Sequence, residues 1–287
     1  MHSLLSSILD ISNYVLILML VSLGLAIVFG LMNVINMAHG EFMMLGGYVV
    51  LVCHQAGLGV LPAMLIAPVV IALVGLLFEA VLIHRLYARV LDSILATWGL
   101  SLILKQLVVL TFGPGSHSVP NPLPGMVSLW GTDYPGYRLF IMAMTLTALL
   151  LTFWVFFRTD FGLSARCVIA NRNMSACLGI NTRRLDRFTF AFGCGLAGLA
   201  GAVMAPMVSL DPQMGLGFLV PAFLSILIGG LGSVATPLAG AAIVGVTDNL
   251  VATFLSPLWA QGVVFTLAIV LIRLFPTGVV ARRSRSL

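Results

Sequence analysis

The chain predicts an all-α polytopic membrane fold: a single bundle of about 8–9 transmembrane helices occupying residues 1–287, with a broken or re-entrant helix near residues 33–41. Three observations carry that prediction. The sequence is 60% hydrophobic and 8% charged, with a mean hydropathy of +1.13, whereas soluble domains carry about 25% charged residues. Apolar stretches of spanning length recur from one end to the other. Arginine is concentrated in a few connections and missing from others.

Apolar windows of roughly 17–25 residues fall near 12–30, 34–56, 61–83, 93–112, 138–157, 188–208, 219–235, 237–255 and 259–275. The 84–92 link holds Arg85 and Arg89. The longest connector, 158–187, holds Arg158, Arg166, Arg172, Arg183, Arg184 and Arg187, and Arg273, Arg282, Arg283 and Arg285 close the chain. The positive-inside rule assigns all three regions, and with them the C-terminus, to the cytoplasm. The 113–137 segment has Asp133, no Lys or Arg, and Pro114, Pro120, Pro122, Pro124 and Pro135, so it is assigned outside. The first 30 residues carry no Lys or Arg before the apolar run, so the first span is expected to be retained rather than cleaved. Charge does not decide the side of Met1. A full crossing by 34–56 makes nine spans with Met1 outside; a re-entrant segment makes eight with Met1 inside.

The second window is interrupted by Asn33-Val-Ile-Asn-Met-Ala-His-Gly-Glu41. Such polar residues persist at bilayer depth only where they face protein or a watery cavity. Asn33, Asn36, His39, Gly40 and Glu41 are therefore candidates to line a route for a polar solute, or to cap and satisfy a broken helix against its neighbours. Lys105 lies 12 residues beyond Ser93, about 18 Å along an ideal helix, and requires a partner at that depth. Glu79, reaching by snorkelling, and Asp248 are the candidates among the charges at depth. Gly193, Ala197, Gly201 and Ala205 recur every four residues, a small-residue ridge for close helix packing, a theme Ala241 and Gly245 continue. Trp98 reads as an interfacial or packing residue.

Within the 158–187 connector, Cys167–Leu178 mixes Val168, Ala176 and Leu178 with Asn171, Arg172, Asn173 and Ser175, and Gly179 follows as a helix-stopping glycine would. A short amphipathic helix too polar to span is expected, suited to docking in a partner's groove or to resting on lipid headgroups.

Several function classes are excluded. The single lysine, Lys105, is not part of GxxxxGK[ST], so no phosphate-binding loop is encoded and an ATP-driven pore would need separate ATPase subunits. The His39-x-Glu41 pair lacks the P-C-x-x-C partner of a zinc deaminase. Cys53, Cys167, Cys177 and Cys194 show no CxxC spacing. No metal, cofactor or catalytic residue is implied, and the formal charge of +5 reflects topology and anionic lipid rather than nucleic acid.

Ile35-Asn-Met-Ala-His-Gly-Glu41, followed by Met44-Leu-Gly-Gly-Tyr48, resembles the signature of permease subunits of branched-chain amino acid and urea/short-amide ABC importers. Gly162-Leu-Ser-Ala-Arg166 and Ala176-Cys-Leu-Gly-Ile-Asn181 are similar to that family's ATPase-coupling segment. Phe190 to Gly201 and Ile228 to Val234 extend the likeness to most of residues 14–280. The resemblance implies a permease of a bacterial inner membrane working with a second homologous permease, two cytoplasmic ATP-binding subunits and an extracytoplasmic solute-binding protein. It implies coupling roles for Gly162, Arg166, Asn171, Ala176, Gly179 and Asn181, and alternating access as the mechanism. Met37 and Leu95-Ala-Thr-Trp-Gly-Leu-Ser101 are similar to the urea and short-amide branch, from which Lys105 departs. Two rival classes are an ion-coupled secondary carrier, which needs no ordered 160–181 element, and an intramembrane enzyme using His39 and Glu41 as acid–base groups.

Overall fold

The computed structural model describes residues 2–86, 90–129, 132–230, 235–276 and 278–280. Arg89, Arg282, Arg283, Arg285 and residues 231–234 of the Ile228–Val234 motif lie outside the described residues. The chain runs α1 (His2–Met32), α2 (His39–Gln55), α3 (Val60–Val81), a 3-10 turn (Ile83–Arg85) and α4 (Val90–Phe112). A hairpin of β1 (Met126–Leu129) and β2 (Thr132–Pro135) follows, then α5 (Gly136–Arg158), α6 (Asp160–Ala170), α7 (Arg172–Cys177), α8 (Thr182–Met204), α9 (Leu216–Gly229), α10 (Thr236–Phe254) and α11 (Pro257–Leu274). Among the described residues, seven helices (α1, α3, α4, α5, α8, α10 and α11) are long and apolar enough to cross a membrane. The predicted all-α polytopic class is what the chain adopts.

Two faces orient the bundle. On the hairpin face, the Tyr134 hydroxyl donates to Asp10 (2.9 Å) and Arg138 forms an ion pair with the same carboxylate. Burial and the Asp10 carboxylate push the Tyr134 hydroxyl up to about 12, so it remains a donor through the neutral range. The start of α1 therefore lies beside the hairpin. The Tyr137 hydroxyl donates to the Val203 carbonyl (2.6 Å) and lies 4.0 Å from Met64 Sδ, which brings the first turns of α3, the start of α5 and the end of α8 to that face. On the arginine face, Arg172 donates to the Leu31 carbonyl at the end of α1 (3.4 Å), and Arg187 pairs with Glu79 near the end of α3 (3.1 Å). Because α1 ends at the arginine face and α3 begins at the hairpin face, the 33–59 segment crosses between them. The interrupted span is broken rather than re-entrant, and with α9 to α11 nine segments traverse the bundle among the described residues.

α8 is the hub, packed against α1, α2, α3 and α5. Its ridge is buried throughout: Gly193 faces the Gly24 carbonyl, where a Cβ would come within 2.8 Å, and Gly201 sits against the Met43 carbonyl with no room for a side chain. Close backbone approach of this kind is what small-residue ridges permit.

Several predicted boundaries move for physical reasons. α8 starts at Thr182, six residues before its apolar window, since Arg183, Arg184 and Arg187 lower hydropathy without opposing a helix, and the Asn181 side chain accepts the Arg184 amide as N-cap (3.0 Å). α9 occupies 216–229 instead of 219–235; Gly230, with φ +90, ends it. α1 begins at His2, ten residues early, and α2 only at His39.

Candidate functional site

The break starts where α1 ends. Asn33 takes φ +52, a left-handed conformation that Asn tolerates better than most side chains, and its amide still bonds to the Phe29 carbonyl (2.9 Å). Residues 33–38 leave the helical ladder, and Asn36 organises the turn: its Oδ1 accepts the Ala38 amide (3.1 Å) and its carbonyl accepts the His39 amide (3.3 Å). His39 opens α2, with Nε2 donating to the Val21 carbonyl (3.1 Å) in the Nε2–H tautomer. Val21 is 11 residues from both Asp10 and Met32, about 16 Å along the helix either way, so α2 begins halfway through the bundle. Gly40 abuts Gly215, and a Cβ there would lie 2.5 Å from the Gly215 carbonyl. The starts of α2 and α9 thus meet in the interior.

α4 clamps the broken segment from outside. The Thr97 hydroxyl accepts the Met37 amide (3.1 Å) and lies 3.2 Å from the Ile35 carbonyl. Two turns further along α4, Lys105 Nζ lies 3.0 Å from Glu41 Oε1. The candidate Glu79–Lys105 pair does not form, and neither does one with Asp248: Glu41 takes the lysine, and Glu79 pairs with Arg187. The cause is placement, since Glu79 sits near the arginine end of α3 while Lys105 lies deeper. Of the charges expected at depth, Glu79 is wholly buried, whereas Lys105 and Asp248 are partly exposed. Trp98 is 56% exposed on the outer surface of α4.

Asn36, His39, Gly40 and Glu41 are buried inside this one chain, and Asn33 is exposed at the end of α1. The break residues line none of the described cavities. Asn36 Nδ2 and His39 Nδ1 are buried without a hydrogen-bond partner, at a cost of about 1–3 kcal/mol each, so this packing leaves polar groups that a second arrangement could satisfy.

On the arginine face the predicted single amphipathic helix is two. Asn171, at φ −158 and ψ 103, ends α6 and caps α7, accepting the Met174 amide (2.9 Å); an N-cap residue is by nature non-helical, which is why the run splits there. Thr159 caps α6 through the Gly162 amide (3.3 Å). Gly162 lies so close to the Val155 and Phe156 carbonyls that a Cβ would overlap them, which folds α6 back against α5. Arg166 stacks its guanidinium over Phe157 (5.2 Å). Gly179, at φ +89, closes α7 in a Schellman turn, its amide bonding to the Ala176 carbonyl (3.1 Å) and the Ile180 amide to the Ser175 carbonyl (3.1 Å). Leu163, Met174 and Leu178 remain exposed on this segment, as do Asn171, Ala176, Gly179 and Asn181.

Sequence reasoning missed what two of the loop arginines do. Arg172 pairs with Asp186, which is wholly buried, and also reaches the Leu31 carbonyl; Arg187 holds Glu79. The signal was present in Asp186 itself, an acid within an arginine-rich run at the foot of an apolar helix. Through these contacts the α6–α7 segment is fastened to α1 just ahead of the break, and α8 to α3.

A bundle of spanning segments with a helix broken at its centre, and a capped segment pinned beneath that break, has the construction of a polytopic membrane permease. The chain belongs to the family described as "Branched-chain amino acid transport system / permease component", whose profile matches residues 7–273. It is 26% identical over 283 residues to the high-affinity branched-chain amino acid transport system permease protein BraD of Pseudomonas aeruginosa, covering 92% of this chain and 91% of that protein. It is 27% identical over 280 residues to LivH of Escherichia coli K12, with the same coverage, and 26% identical over 260 residues to the probable branched-chain amino acid permease LivH of Methanocaldococcus jannaschii, covering 86% and 80%. No solved structure matches the chain.

Proposed function

We propose that this chain is the permease subunit of a binding-protein-dependent ABC importer of branched-chain amino acids, set in a bacterial inner membrane with its arginine face and C-terminus in the cytoplasm. The names borne by its relatives favour branched-chain amino acids over urea or short amides as the cargo. A second homologous permease, two cytoplasmic ATP-binding subunits and an extracytoplasmic solute-binding protein complete the machine. The chain does no chemistry on the solute, and hydrolysis belongs to the partners.

The observation that carries this reading is the α6–α7 segment. It is ordered by three side-chain caps, presents exposed Leu163, Met174 and Leu178 to the cytoplasm, and is tied by Arg172 to the end of α1. An apolar patch in a polar setting marks an interaction surface, and an ordered helix is more than topology requires. In this reading ATP-driven closure of the partners moves α6–α7, Arg172 passes the displacement to α1, and the Asn33–His39 break takes up the bend. The two permeases then rock between outward and inward openings, with Asn33, Asn36, His39, Gly40 and Glu41 as the hinge beside the route.

Gly179→Pro tests the coupling. Proline cannot adopt φ +89 and lacks the amide that bonds to Ala176, so the Schellman turn is lost, while nothing packs within 4 Å of Gly179. The variant is expected to insert and fold, to lose co-purification with the ATP-binding subunits, and to lose uptake at least tenfold. Arg166→Glu, which loses its stacking on Phe157, is expected to behave likewise. Full uptake by both variants would remove the docking claim and favour an ion-coupled carrier.

A further inference from the structure

A cavity of about 300 Å³ opens between α9, α10 and α11, near the lower end of small-molecule sites. Leu216, Val220, Pro221, Leu224, Val264 and Phe265 make its walls apolar, and two polar side chains reach it, Asp248 and Gln261. Asp248 is partly exposed, lies near Tyr14 of α1, and has no basic partner among the described residues. A carboxylate at membrane depth that faces a cavity without a cation marks a functional site before it marks a packing device. Its depth follows from the packing of α10 on α1: a Cβ on Gly245, three residues before Asp248, would lie 3.5 Å from the Tyr14 ring, and Tyr14 is four residues from Asp10, about 6 Å along the helix from the hairpin face. The cavity therefore lies in the half of the bundle nearer that face, which is where an extracytoplasmic protein would release cargo. The first turn of α9, Leu216 and Gly217, borders it; its amides carry the partial positive charge of a helix start, and Gly217 leaves open space there.

Resting on the importer reading, we infer that this cavity is a contact station for the travelling solute, an aliphatic α-amino acid. Asp248, beside Tyr14, receives the ammonium group. The Gln261 amide and the first turn of α9 face the carboxylate, and the side chain lies on the apolar wall. Urea or a short amide, with neither a positive charge nor an aliphatic chain, finds no complement here.

The test uses the assembled importer, permeases and ATP-binding subunits together, in proteoliposomes. Radiolabelled leucine binding, without the binding protein, is competed with leucinamide, which keeps the ammonium group, and with 4-methylpentanoate, which lacks it. Leucinamide is expected to displace leucine at least tenfold more effectively than 4-methylpentanoate. With binding protein and ATP, Asp248→Asn is expected to cut leucine uptake at least tenfold, Asp248→Glu less than threefold, and Val220→Trp, which fills the cavity without altering charge, at least tenfold. Equal competition by the two analogues, or normal uptake by Asp248→Asn, overturns the assignment while the importer reading stands. Should Asp248→Asn fail to assemble, the competition on the unaltered protein decides alone. An unaltered complex that transports no amino acid overturns both.

Discussion

Gly201→Val is expected to abolish accumulation of the folded chain. The Cβ it adds would overlap the Met43 carbonyl, and a few residues away Gly46 and Gly198 meet just as closely. A side chain pressed against a flexible neighbour costs about 1–3 kcal/mol by overpacking. Here the obstacle is backbone, so relief requires α2 to separate from α8, the helix against which α1 and α3 also pack, and the cost lies at or beyond the top of that range. Gly30→Ala is the control: nothing lies within 4 Å of a Cβ there, and the alanine is expected to stabilise α1 by about 0.5–1 kcal/mol. Fluorescence-detected size-exclusion and thermal melts of the detergent-extracted protein check both. A monodisperse Gly201→Val protein melting with the parent would show that α2 and α8 do not cross there.

Removal of Lys105 is expected to have the second-largest effect. Glu41 is 1% exposed and Lys105 15%, so Lys105→Ala strands a carboxylate in a low-dielectric interior. Breaking one side of a buried pair costs about 3–5 kcal/mol, because the remaining charge has no compensation. Joining Glu41→Gln to Lys105→Met replaces the pair with uncharged groups of similar size, and most of the lost stability should return. Melting temperatures of the single and double variants in nanodiscs measure the difference. A single variant as stable as its parent would mean that the contact between α4 and the break is made by Thr97 and packing alone.

The two cases mark the boundary between what was legible in the sequence and what was not. The ridge of Gly193, Ala197, Gly201 and Ala205 was visible as a period of four, since a helix face repeats at that spacing wherever the helix sits. Its neighbour was not visible, because Met43 lies far away along the chain. Lys105 was recognisable as a charge needing a partner from hydropathy alone. Its partner, Glu41, was not among the candidates, because helix depth and azimuth come from packing: Glu41 faces α4 only because α2 starts halfway through the bundle, after a non-helical stretch. The same holds on the arginine face. Positive charge marked Arg172 and Arg187 as belonging to one side, a property of local composition, whereas their roles as pins for Asp186 and Glu79 depend on α7, α8 and α3 meeting.

By itself the sequence determined the membrane class, the order of the spans and their approximate positions, the break at Asn33–Glu41, the glycine that ends α7 and the kinship carried by the motifs. These are local properties: hydrophobic runs, turn and cap chemistry, and charge counts act over a few residues and read the same in any fold. Only the tertiary structure decided that the break is a full crossing, that Glu41 holds Lys105, that the amphipathic run of the 158–187 connector divides at Asn171, and that Asp248 faces a cavity beside Tyr14. Each of these depends on which segments far apart in the chain come to lie side by side, and that outcome is selected by the packing free energy of the whole bundle, which no single window of residues contains.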